Sequence, residues 1–195
     1  TLDLHDMTIT GAGADFYDGG ALYNEGTTYL ANVHFDGNGA ANQQHGGAIK
    51  NVGSLTLDYV YIGSNHAQAG GGLFNVGYTT IMRSSFYANT ASDQGGAIYQ
   101  ADGASPNALS IVNSTFDANT AVSGVAGIYN VSSSTVQLSF VTLATNSTSD
   151  LLLGGNNFIA RNSIFYNGGA GQCYASVAND GGNQTNMSGS NCGAT

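Results

Sequence analysis

The chain has 195 residues, 42% of them hydrophobic and only 8% charged, and its net charge of −9 sets twelve acids against Lys50, Arg83 and Arg161. Three cations cannot neutralise a run of phosphates, so nucleic acid is rejected as a partner, and an anionic membrane surface or an anionic polysaccharide is disfavoured for the same reason. No apolar run approaches the length of a membrane span, and the even composition is that of one domain.

In chain order, a short apolar pattern opens at Leu4 and Ile9 and then recurs behind a glycine-led hexapeptide. GGALYN from Gly19 leads to Leu30 and the tetrad Phe35-Asp-Gly-Asn38. GGAIKN from Gly46 leads to Leu57 and Ile62-Gly-Ser-Asn65, and GGGLFN from Gly70 to Ile81 and Phe86-Tyr-Ala-Asn89. GGAIYQ from Gly95 runs through a turn-rich stretch from Asp102 to Asn107 before Ile111 and Phe116-Asp-Ala-Asn119. The degenerate VAGIYN from Val125 leads to Leu138 and Leu143-Ala-Thr-Asn146, where Val125 and Ala126 replace two glycines. A seventh pair, Ile159 and Ile164-Phe-Tyr-Asn167, closes the series.

Apolar and polar residues alternate around each pair, which is the period of two of a strand. A repeat of about two dozen residues built from such strands means a solenoid whose units bury their apolar faces against one another. The expected fold is all-β: a single right-handed parallel β-helix of about seven coils over 1–195, with 168–195 as its C-terminal coil and tail. Glycine supplies the sharp turns. Asn38, Asn65, Asn89, Asn119, Asn146 and Asn167 are expected to stack as one structural ladder. Asn183 is expected in an irregular tail. The fifth hexapeptide residue (Tyr23, Lys50, Phe74, Tyr99, Tyr129) should face outward, either as a surface-binding ladder or as rings that stack on one another. Arg83 and Arg161 share a column, and Arg83 is placed to pair with Asp58 one coil below.

Cys173 and Cys192 are the only cysteines. A lone close pair in a Lys-poor chain reads as a disulfide made outside the cytoplasm, pinning the tail. The alternative is two unpaired thiols. With Thr1 in place of Met, a mature or excised chain of extracellular location is expected.

The paired GGAIY and FxxN motifs resemble the parallel β-helix repeats of secreted and surface-anchored bacterial proteins, including the polymorphic outer-membrane protein family. The segment from Asn162 to the Cys192 region resembles the final coil and Cys-paired tail of such proteins. The resemblance implies an adhesin, a display module or part of a large exoprotein on the bacterial surface, and it carries over no catalytic residue.

No catalytic, cofactor or metal residues stand out. His5, His34, His45 and His66 are scattered, and the calcium repeat of β-rolls is missing. The expected function is an extracellular structural or adhesive module, non-enzymatic, binding itself end to end or a cell-surface carbohydrate or protein. The alternative is a polysaccharide lyase or hydrolase on the same scaffold, which requires clustered carboxylates in a groove.

Overall fold

The structure, a computed structural model, describes residues 1–14, 18–40, 44–103, 108–146, 151–166 and 172–185. Among these, every regular element is a β-strand, and the strands stack in parallel as a β-solenoid of about six turns. That is close to the seven coils expected, and the described pairing starts with Leu2–Thr10 on Thr27–Asp36 and Leu22–Asn24 on Ile49–Asn51.

Each full coil has three walls. The first stacks Leu22, Ile49, Leu73, Ile98, Ile128 and Leu153 in register. The second stacks Leu4, Leu30, Leu57, Ile81, Ile111 and Leu138. The third stacks Ile9, Phe35, Ile62, Phe86, Phe116 and Leu143. A small sheet of two-residue strands, from Gly13–Ala14 to Thr120–Ala121, completes the outline. Alternation sends these columns inward, where most are fully buried and Phe86 stacks on Phe116 at 4.8 Å. Each such Leu, Ile or Phe contributes about 1.5–3 kcal/mol.

Two left-handed columns bend the coil. Asp6, Asn32, Tyr59, Arg83, Asn113, Phe140 and Asn162, with φ between 48° and 55°, separate the second wall from the third. Gly37, Ser64, Ala88, Ala118 and Thr145 end the third wall in the same conformation. The first lead glycine is left-handed as well (Gly46, φ 73°), and the second has no room for a side chain: a Cβ on Gly47 would lie 2.2 Å from the Gly71 carbonyl oxygen. The VAGIYN coil turns differently. Val125 and Ala126 have no positive φ, the Val125 carbonyl accepts from both Gly95 and Gly96 N–H (2.8 and 3.1 Å), and the Val125 N–H donates to Gln94 Oε1 at 2.9 Å.

The last apolar pair corrects the expected register by one residue. Ala160 stands opposite Leu138 and Phe165 opposite Leu143. Phe158, Ala160 and Phe165 are buried, whereas Ile159 and Ile164 are 38% and 45% exposed. A slip of one flips every side chain to the other face. This choice buries two phenyl rings instead of two isoleucines, and it puts Asn162 rather than Arg161 at the left-handed corner, a conformation that asparagine tolerates far better. Asn167 lies outside the described residues.

Beyond that coil, Gln172–Asn179 and Gln184–Thr185 add a further parallel rung on Leu151–Arg161 and Ile164–Tyr166. Asn183 is therefore not in an irregular tail. It is 8% exposed, its Oδ1 accepts from the Ser163 N–H (2.9 Å) and its Nδ2 donates to the Ala160 carbonyl (2.7 Å). Cys173 is buried opposite Leu153 in the first wall; Cys192 lies outside the described residues.

Candidate functional site

The tetrad asparagines form a buried chain of amides. Asn38, Asn65, Asn89, Asn119 and Asn146 are all 0% exposed. The Nδ2 of Asn38, Asn65, Asn89 and Asn119 each donates to the Oδ1 of the asparagine in the next coil, at 3.0, 2.9, 2.9 and 2.8 Å. The same Oδ1 also accepts the backbone N–H of the asparagine before it. Nδ2 reaches back to the first tetrad residue one coil earlier, as Asn89 does to the Ile62 carbonyl at 2.8 Å. Every hydrogen-bonding group is committed to the scaffold, so this ladder has no chemistry to offer a ligand.

A second amide ladder, which the sequence reading missed, runs inside the bend between the first and second walls. Asn24, Asn51, Asn75 and Gln100 pass side-chain hydrogen bonds upward at 2.7, 2.8 and 2.6 Å. The signal was present: it is the sixth residue of each hexapeptide, Asn130 included. Between Gln100 and Asn130 the chain of amides breaks, and Asn130 Nδ2 turns to the Ser134 carbonyl at 3.0 Å.

The column of fifth residues is mostly closed upon itself. Phe74 is only 9% exposed, against the expected outward face, because the His45 ring (4.5 Å) and the stacked Tyr99 ring (4.9 Å) cover it. Tyr129 packs edge-on to Tyr99, and Lys50 Nζ lies over the Tyr23 and Phe74 rings at 5.6 and 5.5 Å. Only Tyr23, 47% exposed, keeps much open surface. Burial, then the neighbouring Tyr129, pushes the Tyr99 hydroxyl pKa up. Lys50 pairs with Asp18, whose carboxylate also accepts the His45 N–H at 2.7 Å and faces His45 Nδ1 at 3.1 Å. Burial opposes ionisation of Asp18, but the Lys50 hydrogen bond and the His45 N–H outweigh it and hold the carboxyl below its ordinary range.

The second cluster sits on the corner between the second and third walls. Arg83 Nη2 donates to Asp58 Oδ2 at 2.5 Å, the pairing that the one-position offset implied. Asp58 is the less exposed partner, with a side chain 12% accessible against 42% for Arg83. Tyr29 Oη donates to the same oxygen at 3.4 Å, and the guanidinium carbon lies 4.7 Å over the Tyr59 ring. Asp58 Oδ1 is buried without a hydrogen-bond partner. Arg161 is elsewhere, with Nε on Ser139 Oγ at 3.0 Å.

His34 rests beside Tyr61 at 5.6 Å, His5 meets Asp3 at 2.6 Å, and the His66 ring covers Gly39. Among the described residues, no three His, Cys, Asp or Glu side chains gather into a metal-binding group. Among the described residues, one shallow cleft lies at Val52, Tyr78 and Gly103 and another at Gln137, Arg161 and Asp180. Neither is lined by a pair of described carboxylates, the arrangement that glycoside hydrolysis uses. Compared with protein-family profiles, curated proteins and solved structures, the chain matches none.

Proposed function

We propose that this chain is an extracellular structural or adhesive module of a bacterial surface, akin to the polymorphic outer-membrane protein repeats that its motifs resemble. It acts without catalysis, presenting the walls of a stiff rod to a cell-surface carbohydrate or protein, and copies join end to end. The observation that carries the reading is where the buried polar side chains go. Two amide ladders bind coil to coil, so these groups serve rigidity and not reaction. A chain in which only 8% of the residues are charged favours contact through hydroxyls, amides and rings. End-to-end joining would extend between copies the coil-on-coil parallel pairing that Leu2–Thr10 makes with Thr27–Asp36.

Labelled chain incubated with bacterial and host cells tests the adhesive role, with saturable binding as the expected result. Release of reducing sugar or unsaturated products from a polysaccharide panel would replace the reading with the enzymatic one. Light scattering over a concentration series tests the joining of copies. A monomer throughout would remove that part and leave a single adhesive module.

A further inference from the structure

The left-handed corner between the second and third walls holds one residue per coil, and four of the seven are Asp6, Asn32, Asn113 and Asn162. Short amide and carboxyl side chains suit that backbone, whereas a bulky residue there is an outlier. Tyr59 (φ 54°), Arg83 (φ 50°) and Phe140 (φ 55°) are the three that depart. Their backbone duty is the ordinary one. Tyr59, Arg83 and Phe140 donate their N–H to Met82, Val112 and Arg161 carbonyls at 3.2, 3.1 and 3.1 Å, as Asn113 does to Ser139 at 3.0 Å. Nor do the rings fill the core, since Tyr59 is 61% exposed and Phe140 54%. The fold asks only for a turn at these positions, and an asparagine supplies it in neighbouring coils. Strain kept for an outward side chain points to work done at the surface.

We propose that this ridge, from Tyr59 through Arg83 and Asn113 to Phe140, is a binding site for a neutral glycan lying along the rod axis. The inference rests on the adhesive reading and names its ligand class. The two rings are three coils apart, about 14 Å at one strand spacing per coil, with a guanidinium and a carboxamide between them. Pyranose units present apolar C–H faces to aromatic rings and hydroxyl edges to amide and guanidinium donors. A saccharide polymer of repeat close to the coil rise meets a ring, two donors and a second ring in turn. Arg83 is held for this by Asp58 and by the Tyr59 ring, and the bond to Asp58 uses one of its five N–H groups. A ridge one residue wide is far smaller than the roughly 800 Å² per partner of a stable protein interface. The net charge of −9 repels an anionic polymer and the Arg83 guanidinium on the ridge repels a cationic one, which leaves a neutral one. The Tyr23–Tyr129 column is the poorer platform, because Phe74, Tyr99 and Tyr129 cover one another and Lys50 lies over Tyr23.

The test uses the whole chain, its Tyr59→Asn/Phe140→Asn variant and a control at the exposed Tyr87, Tyr87→Ala, in affinity electrophoresis through soluble glucan, mannan, xylan and a fully N-acetylated chitin derivative, with polygalacturonate as the anionic comparison. Wild type and Tyr87→Ala should be retarded by at least one neutral polymer and not by polygalacturonate. The double variant should bind at least about tenfold more weakly while its Tm is equal or a few degrees higher, because asparagine relaxes the corner. Absence of retardation by every neutral polymer, equal binding by the double variant, or a lower Tm in that variant overturns the proposal. Cell binding that survives in the double variant would do so too, while leaving the adhesive reading intact.

Discussion

Asparagine does two different jobs in this molecule, and the difference is burial. Inside, Asn89 donates to the Ile62 carbonyl and to Asn119, and accepts from Asn65. Removing its side chain leaves buried partners unsatisfied at about 1–3 kcal/mol each. Asn89→Ala should therefore unfold at clearly lower urea concentration than Asn157→Ala, whose exposed amide makes one bond to the Ser133 carbonyl. At the corners, asparagine is, after glycine, the residue least troubled by a left-handed backbone, a conformation that costs most others about 1–2 kcal/mol. Asp18 brings pH into the balance. Its folded pKa lies below the ordinary 3.8, so its pairing with Lys50 and His45 stabilises the fold above that value and is lost as pH falls through the folded pKa. Asp18→Asn should be less stable than wild type near neutrality, and the gap should close below pH 3.8 in thermal melts.

At the scale of the strand, a column of like residues is the unit of stability, and parallel pairing makes each rung depend on the register of its neighbour. The last coil shows how narrow the choice is. Phe158 and Ala160 turn inward, opposite Val136 and Leu138, where the other register would turn Asn157 and Ile159 inward. Phe165→Ala removes a fully buried ring and should cost about 3–5 kcal/mol. Ile164→Ala, next to it but exposed, should stay within about 0.5 kcal/mol. Urea titration of the two variants tests the register directly, and the opposite order would restore the alternative with Ile164 inside.

Over the whole molecule, three walls and two buried amide ladders make a rod whose contacts are nearly all between adjacent coils, as in other solenoids. We expect Cys173, buried against the first-wall column, to be joined to Cys192 and to secure its rung. Closing a loop of about 20 residues contributes about 3 kcal/mol in the chain-entropy account, so reductant should lower Tm by about 6–12 °C. Alkylation of the denatured, unreduced protein checks the pairing: two labelled thiols would remove both the bond and one support for an extracellular location.

The inward columns Leu30–Leu138 and Phe35–Leu143, and the ladder Asn38–Asn146, were legible in the sequence alone. Each recurs at a fixed place in a repeat whose every copy meets the same neighbours, so local spacing already encodes the long-range contact. The Arg83–Asp58 pair was readable on the same ground, as residues one coil and one position apart. The tertiary structure alone decided what repetition leaves open. Two alternations satisfied the last coil, and the volume of Phe158 and Phe165 against Val136 and Leu143 selected one. Phe74 went from outward to buried because His45 and Tyr99 closed over it, and Asp18 met Lys50 across 32 residues of chain. Periodicity fixes which wall a residue belongs to; packing between side chains of unequal size fixes how far it is covered, and with that, which rings remain free to bind.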